Sequence, residues 1–368
     1  MTIDLKQFEA ETHDLRYERI FLLSDLHFGV RANSLEWLTN QESFFRDFYI
    51  PFLRRNVRPG DVLFMLGDWF DSRQLIDISV LNVSVDIMLE LAGILPVHIM
   101  AGNHDCAKKY ETDVNSIVAF RYIPNVTVYE RPTVATDGKT RILVLPWIGN
   151  KEDEENYVRA NRFDYVFAHA DISGFRYDNG KEIGSDAADF TKFKEIKRLF
   201  SGHIHKRQER KNFVYIGSPY HTKRSDIGNT KAVYVFDPKA NTFTATENTF
   251  SPVYQKVPLE SMLELTLSEA VRLLDNNYTD VLVSDNHIHL FNLAKLVDVL
   301  KDCRYKKIET FNQQSRIDGS VADVAQGTDV DVLTLLEDGI GGLGHRAEAI
   351  VRLKLMNKTY YEKAKAED

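Results

Sequence analysis

Cysteine is scarce in this chain: Cys106 and Cys303 are the only two among 368 residues. Two thiols make no disulfide framework, which excludes the small cystine-stapled secreted folds and suits a reducing compartment. Long hydrophobic runs are also missing. No apolar stretch approaches the roughly 20 residues needed to cross a bilayer, so no membrane is expected. The stretch MTIDLKQFEAETHDLRYERI carries acidic residues throughout and has no signal-peptide core; the expected location is cytoplasmic. Positive charge is in deficit, with 46 Lys and Arg against 54 Asp and Glu and a net charge of −8. That balance excludes a nonspecific polycationic binder. It leaves room for an enzyme that meets a polyanion at a locally positive metal site. Internal repeats and low-complexity segments are absent.

What is present is an ordinary globular composition, 43% hydrophobic and 27% charged, long enough for a sizeable core plus one smaller domain. Five strand-like apolar runs each end in polar residues. RIFLLSD delivers Asp25 and then His27, DVLFMLGD delivers Asp68, and LPVHIMAGNHD delivers Asn103, His104 and Asp105. FDYVFAHA delivers His169, and RLFSGHIH delivers His203 and His205. In α/β sheets the carboxyl ends of strands are where ligands bind. Helix-like stretches are expected at 34–53, 79–93 and 112–122. Later runs (VTVYE, RILVLPW, FVYIGS, KAVYVFD) lack long helices between some pairs, which predicts a two-sheet α/β core with helices outside it.

The strand ends supply D-x-H, G-D, G-N-H-D, H and G-H-x-H. Imidazoles, carboxylates and one amide oxygen suit divalent manganese, iron or zinc. The donors outnumber the needs of one ion, so two ions sharing a carboxylate are expected. Such a pair clamps the attacking and leaving oxygens of a phosphoryl displacement and acidifies the attacking water. Glycines before Asp68, Asn103 and His203 are expected to permit tight turns there. A second H-x-H, His287 and His289, has no carboxylate motifs around it and reads as ordinary. Cys106 reads as a small buried side chain, and Trp69 and Trp147 as core or site-wall aromatics.

SDLHFG, GDWFDSR, AGNHD, FAHADISGF and SGHIH, in that order, resemble the motifs of the metallophosphoesterase (calcineurin-like) family. The later YIGSPYHTKRSDIGNTKAVYVFD resembles the SbcD-type DNA repair nucleases, the meiotic-recombination-eleven family. Within it, the likeness is to the recombination nuclease subunits of T-even-like phages. The resemblance implies a two-sheet metallophosphoesterase sandwich over 1–250. It also implies a small α+β DNA-capping domain over 251–312, and a linker with C-terminal helices over 313–368 that dock an ATPase.

Carried over to this sequence, the resemblance implies that Asp25, His27 and His205 hold a first metal, that Asp68 bridges, and that Asn103, His169 and His203 hold a second. His104 would address the scissile phosphate and protonate the leaving oxygen. Asp105 would orient His104 or its loop, or cap a turn. Asp71 stands where some relatives carry a histidine, whose role does not transfer. The implied function is a manganese-dependent nuclease subunit in recombination and double-strand-break repair. It would be a 3′-to-5′ exonuclease on duplex ends and an endonuclease on single strands, acting as a homodimer through 79–93 and 112–122 with an SbcC-type coiled-coil ATPase. The same metal chemistry serves small-molecule and cyclic-nucleotide phosphodiesterases. A non-catalytic DNA-end scaffold is the reading from another class.

Overall fold

The structure, a computed structural model, describes residues 4–108, 111–283 and 303–312. It divides into two compact units, Met1–Tyr254 and Gln255–Asp368. The first is built on two large sheets. Their strands are β1 Glu11–Asp14, β2 Ile20–Leu23, β3 Val62–Met65, β4 Val97–Met100, β5 Val126–Tyr129, β6 Thr133–Thr136 and β7 Arg141–Leu145. They continue with β8 Tyr165–His169, β9 Arg198–Gly202, β10 Gln208–Arg210, β11 Phe213–Tyr215, β12 Ala232–Asp237 and β13 Thr242–Glu247. One sheet has the order β13-β12-β2-β3-β4-β5 and the other β1-β6-β7-β8-β9-β11-β10. The runs β2-β3-β4-β5 and β7-β8-β9-β11 are parallel, so their carboxyl ends emerge together.

Alternation along each strand explains the layering. Leu22, Phe64 and Met100 from the first sheet meet Val144, Phe167, Phe200 and Val214 from the second in one buried cluster. The opposite faces are apolar as well. Phe21, Leu23, Leu63, Met65 and Ile99 pack under Phe44, Phe45, Leu53, Ile87 and Leu91, while Leu143, Val166, Leu199 and Tyr215 pack with Val158 and Phe190. Strands covered on both faces read as continuous apolar runs, as β2 and β3 do. Each such buried Leu or Phe contributes roughly 1.5–3 kcal/mol. The expected two-sheet α/β sandwich with outer helices is the observed fold.

The helical stretch expected at 34–53 is three joined pieces, Leu35–Ser43, a π-helical Phe44–Tyr49 and Ile50–Asn56. The stretch expected at 79–93 is α-helix Ile78–Ala92, capped by Asp77 accepting from the Ser79 amide at 2.8 Å. The expectation of a helix over 112–122 is corrected: Glu111–Asn115 is a strand paired with Cys106–Lys108, and Ser116–Tyr122 is 3-10 helix.

The second unit contains strands Tyr278–Val283 and Lys307–Asn312, which pair in parallel, and helix Leu267–Leu274. Thr266 caps that helix by accepting from the Glu269 amide. Val257, Leu259, Met262, Ala270, Leu274 and Val281 form its small apolar cluster. His287, His289 and the two C-terminal helices expected within 313–368 lie outside the described residues.

Candidate metal centre

The parallel strands deliver their polar ends to one edge of the sandwich. Loops after β2 and β3 run side by side, the Asp25, His27 and Phe28 amides donating to the Gly67, Asp68 and Trp69 carbonyls at 3.1, 3.1 and 2.8 Å. Gln41, from the outer helix, donates its amide to the Leu26 and His27 carbonyls at 2.7 and 3.0 Å. The backbone is bent hard here. Asp25, His27, Asp68 and His203 have φ of 55°, 50°, 54° and 90°. Left-handed non-glycine residues cost free energy and cluster at functional sites. Gly67, at φ 90°, makes the turn that sequence reasoning expects. At Gly102 the cause is contact instead: a Cβ there would collide with the Asp68 side chain.

Three groupings of donor atoms result, each with its ligand atoms within 4.8 Å of one another: Asp25, His27 and His205; Asp68, His169 and His203; and His27, Asp71 and His104. Asp68 lies between the first two, its Oδ2 3.6 Å from His27 Nε2 and 3.4 Å from His169 Nε2. Asn103 joins the second group, its Oδ1 3.0 Å from His169 Nε2 and 2.7 Å from His203 Nδ1. His169 Nδ1 donates to the Leu66 carbonyl at 2.7 Å, which fixes the ring with Nε2 toward the group. His27 is buried; its Nδ1 faces Asp71 Oδ1 at 3.1 Å, while its Nε2 closes no hydrogen bond. A buried ring nitrogen without a hydrogen-bond partner is costly, and a cation removes that cost. These donors fit divalent metal ions.

The charges are tightly interdependent. Burial pushes the Asp25 carboxyl up. Burial works the same way on Asp68, but His169 and His27 outweigh it and hold that carboxyl well below the usual range. Against its own burial, His169 is raised to about 9, chiefly by Asp68. His205 is pushed well down by burial, with His27, Lys223 and Lys231 adding to the effect.

His104 stands apart from the Asp68 group. Its amide donates to Asp68 Oδ1 at 2.8 Å and its Nδ1 lies 2.6 Å from the Asp71 carbonyl oxygen. That oxygen only accepts, so Nδ1 carries the proton and Nε2 is left for a ligand. His104 lines an open cleft of about 610 Å³ with His27, His203, His205, Arg31 and Lys223. The expectation for Asp105 is that it orients His104 or its loop, or caps a turn. Its buried carboxylate accepts from the Trp69, Phe70 and Gly102 amides at 3.3, 3.0 and 2.9 Å, so it staples the Asp68 loop to the Asn103 loop. Burial and nearby Asp68 push it up to about 7.

Asp71 places Oδ1 3.1 Å from His27 Nδ1. Cys106 is fully buried, its thiol donating to the Gly102 carbonyl at 3.2 Å. Trp69 is core, while Trp147 lies against the His203 ring with centroids 5.0 Å apart. His221 is structural, contacting the Asn229 carbonyl and accepting from the Tyr254 amide. Sequence reasoning missed Asp171, whose Oδ1 lies 3.2 Å from His203 Nε2. Its one signal is an Asp two residues beyond His169.

The calcineurin-like phosphoesterase family model matches residues 18–207. The chain is 25% identical to exonuclease subunit 1 of Enterobacteria phage T4 over 339 residues, which cover 88% of this chain and 93% of that protein. Among solved structures, an archaeal phosphodiesterase aligns over 62% of this chain and 99% of its own at 11% identity, with a TM-score of 0.33.

Proposed function

Since this chain belongs to the calcineurin-like phosphoesterase family, we propose that it is the two-metal nuclease subunit of a DNA recombination and repair complex. It would act as a 3′-to-5′ exonuclease on duplex ends and as an endonuclease on single strands. The observation that carries the reading is the convergence of Asp25, His27, Asp68, Asn103, His169, His203 and His205 beside a histidine anchored through its own Nδ1. Asp25, His27 and His205 would hold one divalent ion, manganese on this reading, and Asn103, His169 and His203 the other, with Asp68 shared. Bound ions would supply positive charge to the phosphate and acidify the attacking water. His104 Nε2 would face the leaving oxygen and, when protonated, donate to it, while the Asp71 carbonyl fixes the ring. The 93% coverage of a phage exonuclease subunit supports DNA as the substrate.

The test is hydrolysis by the purified protein with manganese. It should shorten end-labelled duplex DNA from its 3′ ends and cut single-stranded circles. Turnover confined to cyclic nucleotides would replace the nuclease by a small-molecule phosphodiesterase, and DNA binding without any hydrolysis would leave a scaffold.

The proposal includes a homodimer, an SbcC-type ATPase bound by the chain beyond 312, and a DNA-capping role for 251–312. Helix Ile78–Ala92 supports the dimer. Ile78, Leu81 and Leu89 are 75%, 39% and 48% exposed and, with half-buried Val85, lie on one face at helical spacing. Changing Leu81→Glu and Leu89→Glu together should halve the mass measured by light scattering while hydrolysis of bis-p-nitrophenyl phosphate persists. A parent protein that is already monomeric would end the dimer proposal.

A further inference from the structure

His203 presents two different nitrogens to two different neighbours. Nδ1 faces Asn103 Oδ1 at 2.7 Å, inside the donor group with Asp68 and His169. Nε2 faces away from that group, 3.2 Å from Asp171 Oδ1. That carboxylate oxygen is buried and closes no hydrogen bond of its own, so a proton on His203 Nε2, 3.2 Å away, is placed to satisfy it. We infer that Asp171 is a positioning residue that holds the Nε2 proton of His203 and so keeps Nδ1 free to bind a metal ion, an inference that rests on the two-metal reading above.

The surroundings of Asp171 are built to hold it there. Its backbone is pinned on both sides by one buried phenol: the Tyr215 hydroxyl donates to the Ala170 carbonyl at 2.7 Å and accepts from the Ile172 amide at 2.8 Å. The Tyr177 phenol lies close enough to the same carboxylate to interact with it electrostatically. Trp147 covers a face of the imidazole. With an aromatic against the ring, an amide oxygen at one nitrogen and a carboxylate at the other, His203 has little freedom to flip or change tautomer. A carboxylate on the far nitrogen of a ligating histidine fixes the ring and raises its basicity, and removing such a partner typically costs about 10–100-fold in metal affinity.

Full-length Asp171→Ala and Asp171→Asn proteins test this. Manganese titration by calorimetry, with bound metal counted by elemental analysis, should show one of two ions weakened about 10–100-fold in Asp171→Ala. The other ion should be unchanged. Asp171→Asn keeps an acceptor oxygen, so its loss should be smaller. An alanine variant that binds both ions like the parent would overturn the assignment. So would one that loses both ions together with a large drop in melting temperature, since Asp171 would then be a general structural residue. A parent that binds no divalent ion would overturn the two-metal reading and this inference with it, which separates that failure from the others.

Discussion

Asp68→Ala should abolish phosphodiester hydrolysis and leave the protein unable to hold two ions. Asp68 is the carboxylate between the two donor groups, its Oδ2 within 3.6 Å of His27 and 3.4 Å of His169. Its other oxygen accepts from the His104 amide. Truncation therefore removes a donor from both groups and loosens the proposed acid at once. Losing the shared anion should cost several kcal/mol of transition-state charge stabilisation, on the order of 10³-fold or more in rate. Elemental analysis should report fewer than two ions per chain, and two tightly bound ions in the variant would remove Asp68 from the shared position. Asp68→Asn separates the effects: its amide oxygen can still accept from His104, but the negative charge is gone. It should lose metal as the alanine variant does while keeping the loop in place.

His104→Asn should do the reverse, keeping both ions and losing about 10²–10⁴-fold in turnover on DNA. His104 hydrogen-bonds Asp68 through its backbone amide, which every residue but proline retains. The leaving group supplies a sharper test. A general acid matters most when the departing oxygen is a poor leaving group, as the deoxyribose alkoxide is, and least for p-nitrophenolate. The defect should therefore be much smaller on bis-p-nitrophenyl phosphate than on DNA. Equal defects on both substrates would assign His104 to binding the phosphate rather than to protonating the leaving oxygen. Loss of an ion would make it a ligand.

Much of this is legible in the sequence. The strands are readable because both faces of each sheet's centre are covered, so β2 and β3 are unbroken apolar runs and β8 is apolar up to His169. A polar residue at the end of such a run is conspicuous, which is how Asp25, Asp68, Asn103, His169 and His203 stood out. The helix expected over 112–122 shows the limit. Ile117 and Phe120 are buried and three residues apart, a spacing that a 3-10 helix satisfies as well as an α-helix. The preceding Glu111–Asn115 is a strand because Cys106–Lys108 lies beside it, and pairing with a partner is not written in the residues themselves.

Asp105 and Asp171 draw the same line. Each is an aspartate beside a motif histidine, and nothing local tells them apart. Asp105 turns inward onto three backbone amides, whereas Asp171 meets the ring of His203, 32 residues further along the chain. By itself the sequence determined the strands, their order of polar endings and the donor types, because these follow from local apolar pattern and side-chain chemistry. Only the tertiary structure decided which nitrogen faces which oxygen, which aspartate is a staple and which a neighbour of His203, because those contacts join loops brought together by the parallel packing of strands far apart in the chain.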